Sequence, residues 1–233
     1  MTSQIDLCVI PARGGSKRIP RKNIRPFAGL PMIAHAISAA EDSGCFARIV
    51  VSTDDTEIAA VAREHGAETP FVRAPELSND TAGTAEVVVD AIERLNASEF
   101  EFTCCLYPTA AMADPADLRN AREMLAASEA DSLLPVVEFD YPPARALRLE
   151  GNGRIAFQWP EYALARSQDV PHLVHDAGAF YWMRTAALVA SRRIVGENCL
   201  AFPVDRTRYV DIDTEDDFAL AEALAAMIMK ARK

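Results

Sequence analysis

The chain has 233 residues, of which 50% are hydrophobic and 25% are charged, and its formal net charge at pH 7 is −10. This composition is typical of a globular protein, and the acidic balance argues against a nucleic-acid partner, which would require a broad basic face. No apolar run approaches the roughly 18–20 residues that span a membrane, and no signal-peptide pattern is visible, so we expect no membrane partner and a cytoplasmic location.

Apolar segments alternate with helix-like patterns over residues 1–139. The spacing predicts strands at 5–10, 48–53, 69–73, 102–108 and 131–139, and helices at 31–44, 54–66, 83–97 and 113–128. This alternation predicts an α/β fold with a mostly parallel sheet and helices on both faces. Ligands of such sheets bind at the carboxyl ends of the strands.

The pattern changes near residue 140. Two short apolar runs, 145–150 and 154–159, flank Gly-Asn-Gly and predict a β-hairpin. The chain then returns as a strand at 177–183, a helix at 185–191, short strands at 201–205 and 209–213, and a helix at 214–231 with Thr214 as its N-cap. We therefore expect one domain formed by residues 1–139 and 177–233, and an arm formed by residues 140–176.

The loop after the first strand concentrates positive charge. Residues 13–25 hold six cations and no acidic residue: Arg13, Lys17, Arg18, Arg21, Lys22 and Arg25. Gly14 and Gly15 are expected to adopt positive φ and to present backbone N–H groups to an anion. Arginine can hold phosphate oxygens through two donors, and lysine supplies a mobile point charge. The loop therefore predicts a small polyanionic ligand such as a nucleoside triphosphate, rather than a solvated basic turn.

Residues 10–23, IPARGGSKRIPRKN, resemble the nucleotide-binding signature of the CMP-sialic acid synthetase (acylneuraminate cytidylyltransferase) family. Six later segments, in order, resemble its pseudaminic acid cytidylyltransferase branch: STDDTEIA, RAPELSNDTAGT, YPTA, WPEYALARSQDVP, HDAGAFYW and DIDTEDD. The resemblance implies a Rossmann-like nucleotidyltransferase fold. It also implies that the anomeric hydroxyl of a nine-carbon acidic sugar attacks the α-phosphate of CTP, a substrate, and releases pyrophosphate.

The same resemblance assigns the nucleotide site. Arg13 and Lys22 are expected to contact the phosphates, with Arg13 holding them in line and Lys22 stabilising the developing charge. The further nucleotide-binding candidates are Ala12, Gly14, Gly15, Ser16, Lys17, Asn23, Arg73, Asp80, Thr81, Ala82 and Thr84. The alternative for the two threonines is that they cap the helix beginning at residue 83.

Asp211 and Asp213 are the candidate metal ligands. Residues i and i+2 of an extended strand point to one face, roughly 6–7 Å apart, so both carboxylates can face one Mg²⁺ ion beside a triphosphate. The resemblance associates both with the metal or with activation of the sugar hydroxyl, and Asp211 is either a catalytic base or only a ligand. The alternative, helix capping, suits Asp216 and Asp217 better.

Sugar recognition is assigned to residues on later segments. The candidates are Tyr107, Thr109, Arg166, Gln168, His175, Asp176 and Tyr181. Arg166 is expected to meet the sugar carboxylate. Many family members carry Gln-Pro-Thr where this chain has Tyr107-Pro108-Thr109, which argues against N-acetylneuraminic acid and favours the pseudaminic acid branch. The alternative is the same reaction on N-acetylneuraminic or legionaminic acid.

The arm at 140–176 resembles the dimerisation element of the family and implies a homodimer. Phe157, Trp159, Tyr162 and Leu164 are its interface candidates. The alternative is a hairpin folded onto its own subunit. Two other functions remain open: a non-catalytic nucleotide-binding dimer, and a nicotinamide-dependent oxidoreductase, which the missing GxGxxG pattern disfavours.

Overall fold

The computed structural model describes residues 6–231, so residues 1–5 and 232–233, including the first residue of the predicted strand 5–10, lie outside the described part. Its strands and α-helices are, in chain order, β1 (Asp6–Pro11), β2 (Pro26–Phe27), β3 (Leu30–Pro31), α1 (Met32–Ser43), β4 (Phe46–Ser52), α2 (Thr56–Glu64), α3 (Thr84–Leu95), β5 (Phe102–Leu106), α4 (Pro115–Ala126), β6 (Ser132–Glu138), β7 (Leu147–Leu149), β8 (Ile155–Phe157), β9 (Val174–Asp176), β10 (Phe180–Arg184), α5 (Thr185–Ser191), β11 (Cys199–Pro203) and α6 (Glu215–Ala231).

A central sheet has the strand order β11-β6-β10-β5-β1-β4, with β9 beside the end of β6. Strand β1 runs parallel to β4 and β5, and β11 runs parallel to β6. Strand β10 runs antiparallel to both β5 and β6, and β9 runs antiparallel to β6. The predicted α/β fold with a mostly parallel sheet is therefore confirmed.

Helices cover both faces of this sheet. Alternate residues of a strand point to opposite faces, so the two faces of β1 pack against different helices. Cys8 and Ile10 of β1 belong to a buried cluster that includes residues of α1 and α4. Leu7 and Val9 of the same strand belong to a second cluster with residues of α3. All four side chains are fully buried. Burial of each such aliphatic side chain contributes about 1.5–3 kcal/mol.

A third buried cluster joins the C-terminal helix to the cationic loop. Phe218 of α6 meets Phe27 edge to face with ring centroids 5.7 Å apart, and Ile19 of the loop is fully buried in the same cluster. Arg25 donates to both carboxylate oxygens of Glu215 at 2.7 Å. Helix α6 therefore holds the segment that precedes it close to the loop.

Two predicted strands are wrong. The segment 69–73 does not form a strand; Glu68 makes a single parallel bridge to Val50, and Pro70 then has no N–H to donate. The segment 209–213 has no regular secondary structure. There the Lys22 side chain, rather than a neighbouring strand, donates to the Ile212 carbonyl at 2.5 Å.

The arm contains the predicted hairpin. Strands β7 and β8 pair antiparallel, with Leu147 opposite Phe157. The last three residues of the range 140–176 form β9, which pairs with the central sheet through β6. Leu149 and Leu164 of the arm are 77% and 99% exposed. The arm thus presents apolar side chains away from the subunit's own core.

Candidate active site

A cavity of about 730 Å³ opens at the carboxyl ends of β1 and β5, where the parallel topology predicts a ligand. Sequence-predicted residues from both substrate sites and the metal site line it: Arg13, Ser16, Lys17, Lys22, Asn23, Asp80, Tyr107, Thr109, Asp176, Tyr181, Asp211 and Asp213. The fold therefore brings into one space residues that are spread over 200 positions of the chain.

The glycine pair takes a different conformation from the one expected. Among the described glycines, those at positive φ do not include Gly14 or Gly15, so the positive-φ prediction is wrong. Gly14 is instead required by close approach, because a Cβ on it would lie 2.6 Å from an Asp55 carboxylate oxygen. Its N–H donates to Asp54 at 2.9 Å. Arg21, which is not a glycine, takes the left-handed conformation, with φ of 56°.

Two loop cations meet one carboxylate at the rim of the cavity. Arg13 Nη1 lies 2.6 Å from Asp80 Oδ1, and Lys17 Nζ lies 2.6 Å from Asp80 Oδ2. Hydrogen bonds from Lys17 and then Arg13 lower the pKa of Asp80. Asn23, which is buried, donates to the Arg13 carbonyl at 2.9 Å and so fixes the loop backbone at that point.

Two further cations of the loop pair with Asp213, one of the two predicted metal ligands. Arg18 Nη2 lies 2.8 Å from Asp213 Oδ1, and Lys22 Nζ lies 3.5 Å from the same oxygen. The Lys22 side chain is 19% exposed, so its charge is partly withdrawn from water and directed into the cavity. Desolvation, followed by the neighbouring charge of Asp213, raises the pKa of Asp211.

Thr214 and Asp217 cap helix α6, and the side chains of Asp211 and Asp213 take no part in the cap hydrogen bonds between them. The Thr214 hydroxyl accepts from the Asp217 N–H at 3.2 Å and donates to the Asp217 carboxylate at 2.8 Å, which confirms Thr214 as the N-cap of α6. The same Asp217 oxygen accepts from the Asp213 N–H at 3.1 Å. The cap therefore holds the backbone of the Asp211–Asp213 segment in place.

A second cavity of about 220 Å³ adjoins the first and shares Arg13, Asp80 and Tyr107 with it. Arg73, only 4% exposed, lines this cavity, and burial lowers its pKa. Its Nε donates to Ser78 at 3.2 Å, and its Nη2 lies 3.8 Å from Asp54. A buried guanidinium beside a small cavity can donate to the edge of a flat base.

The remaining nucleotide candidates divide between the cavities and the surrounding structure. Ala82 and Thr84 line the second cavity. The Thr84 hydroxyl bonds to the Tyr107 hydroxyl at 2.7 Å and does not cap α3, whose N-cap is Gly83. Thr81 bonds to Asn79 in a turn. Ala12 is fully buried, and its N–H donates a hydrogen bond to the carbonyl of Ser52 in β4 at 2.9 Å.

Two tyrosines and a carboxylate form the wall opposite the cationic loop. The rings of Tyr107 and Tyr181 meet edge to face at 5.5 Å, and the Tyr181 hydroxyl donates to Asp176 Oδ2 at 2.6 Å. The other Asp176 oxygen accepts from the Gly178 N–H at 2.8 Å. Burial raises the pKa of Tyr107 to about 12 and also raises that of Tyr181, so both hydroxyls keep their protons.

Three predicted sugar-binding residues lie outside the cavity of this subunit. Arg166 is exposed and pairs with Asp169 at 2.7 Å, and Gln168 is exposed beside it. His175 is exposed and its ring packs against Phe139 with centroids 4.7 Å apart. These three assignments stay predictions.

Residues 7–220 match the family model described as cytidylyltransferase. The chain belongs to the cytidylyltransferase family. It is 41% identical over 221 residues to a pseudaminic acid cytidylyltransferase of Campylobacter jejuni, covering 94% of this chain and 95% of that protein. It is also 32% identical over 236 residues to a CMP-N,N'-diacetyllegionaminic acid synthase of Legionella pneumophila, covering 97% and 98% of the two chains.

A solved CMP:2-keto-3-deoxy-manno-octonic acid synthetase complexed with CTP has the same fold as this cytidylyltransferase. The TM-score is 0.70 with 18% sequence identity, and the match covers 97% of this chain and 99% of the other. In the described part of the cytidylyltransferase, no helix is long and apolar enough to cross a membrane.

The carboxylate pair of the cytidylyltransferase suits a magnesium ion. Magnesium is commonly bound by one or two carboxylates together with substrate phosphates and water. Within residues 6–231 no three His, Cys, Asp or Glu side chains gather as a metal site. Asp211 and Asp213 are two carboxylates that line the same cavity. Gly178, at φ +62°, lies beside Asp211, and a Cβ there would make an ordinary van der Waals contact at 3.6 Å from the carboxylate carbon.

Four residues of the cavity wall are not among the site residues predicted from the sequence: Pro11, Arg18, Pro108 and Gly178. Arg18 is one of the six loop cations, but the sequence pattern does not assign it to the site, and it does not assign Gly178 either. The loop has no regular secondary structure around Arg18, so no periodic pattern in the sequence shows that its side chain enters the cavity. A glycine between two alanines, as in Ala177-Gly178-Ala179, was the available signal for Gly178.

Proposed function

We propose that this chain transfers CMP from CTP to the anomeric hydroxyl of a nonulosonic acid, and that the sugar is pseudaminic acid. One observation carries the proposal: phosphate-binding cations and the carboxylate pair Asp211 and Asp213 line one cavity. The relative named as a pseudaminic acid cytidylyltransferase, 41% identical over 94% of the chain, supports this sugar.

The two adjoining cavities suit the two ends of CTP. The cytosine and ribose occupy the smaller cavity beside Arg73 and Thr84, and the phosphates pass Arg13 into the larger one. Lys17 and Lys22 then lie along the phosphates. Positioning of this kind converts an encounter between two substrates into a reaction within one complex.

The residues of the larger cavity can carry the transfer step. Asp211, whose pKa is raised, takes the proton of the anomeric hydroxyl as its oxygen forms a bond to the α-phosphorus. The bond from the α-phosphorus to the bridging oxygen breaks, and pyrophosphate leaves with that electron pair. Lys22 stabilises the negative charge that develops on the phosphoryl oxygens, and Arg13 keeps the leaving group in line.

Asp211 and Asp213 would hold a magnesium ion in this site. When bound, that ion neutralises phosphate charge and polarises the phosphoryl group. Asp213 is already paired with Arg18 and Lys22, so these two cations lie next to the place where the ion and the triphosphate meet.

The sugar occupies the wall formed by Tyr107, Thr109, Asp176 and Tyr181. Asp176 can accept from a hydroxyl or an acylamino N–H, since Tyr181 and Gly178 hold both of its oxygens in place. The arm residues Arg166, Gln168 and His175 would complete the pocket of a partner subunit in a homodimer formed through residues 140–176. Because CTP is an intracellular nucleotide, we assign the reaction to the cytoplasm.

Pyrophosphate release tests this function. Purified protein with CTP and magnesium would be offered pseudaminic, N,N'-diacetyllegionaminic and N-acetylneuraminic acid in parallel. We expect release with pseudaminic acid and a loss of at least about a hundredfold in Asp211→Ala, the range of a catalytic acid–base group. Release with legionaminic acid alone would keep the chemistry and change the sugar, in agreement with the other relative. No release with any sugar, from folded protein that binds CTP, would favour a non-catalytic nucleotide-binding protein.

A further inference from the structure

Asp80 stands where the two cavities meet, and it lines both of them. Each of its oxygens is taken by a different loop cation: Arg13 Nη1 and Lys17 Nζ both lie 2.6 Å away. The Asp80 side chain is 49% exposed and that of Lys17 is 79% exposed, so neither partner is fixed by burial. The Asp80 carboxylate is therefore held by ion pairs and hydrogen bonds to these two cations.

The same two cations face the path of the triphosphate. A carboxylate oxygen and a phosphate oxygen are both anionic acceptors, and they compete for the same N–H donors. Arg13 Nη1 and Lys17 Nζ cannot keep their 2.6 Å contacts to Asp80 and also approach phosphate oxygens from the same direction. A bound carboxylate next to a triphosphate would in addition place like charges side by side. Phosphate binding at these donors therefore competes with the Asp80 carboxylate.

Asp80 is carried by a short turn that leads into α3. The Asn79 side-chain oxygen accepts from the N–H groups of Thr81 and Ala82, each at 2.9 Å. These bonds lie within the turn and do not involve the Asp80 carboxylate. The side chain can therefore leave the cations while the turn keeps its shape.

We propose that Asp80 is an internal counter-ion of the phosphate site, held by Arg13 and Lys17 in the free enzyme, displaced by CTP and restored as pyrophosphate leaves. The inference rests on the proposed binding of CTP at this loop. It assigns Asp80 to competition with phosphate rather than to recognition of the nucleoside. Return of the carboxylate to the cations would help to expel pyrophosphate, because the remaining CMP-sugar carries a single phosphodiester charge.

Titration calorimetry of Asp80→Asn without sugar tests the proposal. Asparagine keeps the size of the side chain and removes its charge. We expect pyrophosphate and CTP to bind about three- to tenfold tighter than to the wild type, the effect of removing two competing exposed ion pairs, and the gain to shrink at high salt. Cytidine, which has no phosphate, should bind with unchanged affinity.

Two controls make the result specific. Glu57→Gln removes one negative charge beside Arg21, a loop cation that does not line the cavity, and should leave pyrophosphate affinity within about twofold of the wild type. In a Lys17→Met background, Asp80→Asn should give a smaller gain, because one of the competing pairs is already absent. Kinetically, pyrophosphate should become a stronger product inhibitor of Asp80→Asn than of the wild type.

Three outcomes would contradict the proposal. Weaker cytidine binding in Asp80→Asn would make Asp80 a nucleoside ligand. Unchanged or weaker pyrophosphate binding, with a wild type that binds CTP, would show that the carboxylate does not compete with phosphate. A gain equal to that of Glu57→Gln would reduce the effect to net charge. Failure of the wild type to bind CTP at all would instead overturn the proposed function.

Discussion

Gly14 lies against the side chain of Asp55, and this contact explains why the loop needs a glycine there. A Cβ on Gly14 would come within 2.6 Å of Asp55 Oδ2 and 2.9 Å of the Asp55 Cβ. Asp55 cannot easily retreat, since Arg21 Nη1 donates to its Oδ2 at 2.5 Å and the N–H groups of Glu57 and Ile58 donate to its Oδ1.

Gly14→Ala should therefore displace the loop from its position over the cavity. Forcing a methyl group into a packed contact costs about 1–3 kcal/mol, so we expect the KM for CTP to rise roughly tenfold and the melting temperature to fall by a few degrees. Gly15→Ala is the matched control, because a Cβ at Gly15 meets nothing within 4 Å, and its effect on KM should be clearly smaller. Equal effects of the two substitutions would contradict this explanation.

The glycine pair also shows what the sequence could and could not predict at this scale. The concentration of cations in residues 13–25 predicted an anion site, and four of the six line the cavity, which supports it: Arg13, Lys17, Arg18 and Lys22. The reason for the glycine could not be predicted, because Asp55 is some 40 positions away and only the folded chain brings it to Gly14. Local propensity favoured positive φ, but neither glycine adopts it, and the requirement at Gly14 is a long-range contact.

Helix α2 holds the cationic loop in place through its N-cap residue, Asp55. Asp55 caps it by accepting from two backbone N–H groups, and the same carboxylate is bound by Arg21 of the loop. The hydrogen bond from Arg21 is the main cause of the lowered pKa of Asp55. A carboxyl whose pKa is lower in the folded than in the unfolded state stabilises the fold above its unfolded pKa. That stabilisation is lost as the pH falls through the folded pKa.

Asp55→Asn keeps a capping oxygen but removes the charge that Arg21 binds. We expect the variant to be less stable than the wild type by about 1 kcal/mol at neutral pH, and the difference to disappear in acid as the wild-type carboxyl is protonated. Denaturant titrations of both proteins over a series of pH values measure this. A difference that stays constant as the pH falls would mean that Asp55 acts through packing and not through its charge.

At the scale of elements, helices and strands with a strong apolar periodicity were predicted well, and two short segments were not. The buried helices and strands of the sheet were expected from their apolar spacing, and Thr214 was expected as a cap. The segments 69–73 and 209–213 have apolar residues at strand-like spacing, yet neither forms a strand. Pro70 interrupts pairing in the first, and Lys22 takes the Ile212 carbonyl in the second. Both outcomes depend on neighbours that a local pattern does not contain.

For the whole molecule, the exposed apolar side chains of the arm suggest a partner. Leu149, Ile155 and Leu164 are 77%, 63% and 99% exposed on one segment, and clustered apolar exposure is typical of an interaction surface. If the arm forms the homodimer that we propose, Leu164→Glu should shift the protein from dimer to monomer in analytical ultracentrifugation. It should also raise the KM for the sugar, because the arm would no longer close the partner's pocket.

Val195→Glu provides the control for that experiment. Val195 is 57% exposed and lies outside the arm, so the same apolar-to-acidic change there should leave the sedimentation coefficient unchanged. A wild-type protein that sediments as a monomer would contradict the dimer, as would a Leu164→Glu variant that remains dimeric with an unaltered KM for the sugar.

The position of β10 has a consequence for the way this chain is made. Strand β10 lies between β5 and β6 and pairs with both, although it follows both of them in the chain. Its Trp182 is fully buried and stacks on Phe46 of β4 with ring centroids 5.1 Å apart. During synthesis on the ribosome, β5 and β6 emerge first and cannot become neighbours across the gap that β10 will fill. The nascent sheet must therefore keep open edges, which are prone to aggregation, until the residues beyond the arm have left the exit tunnel.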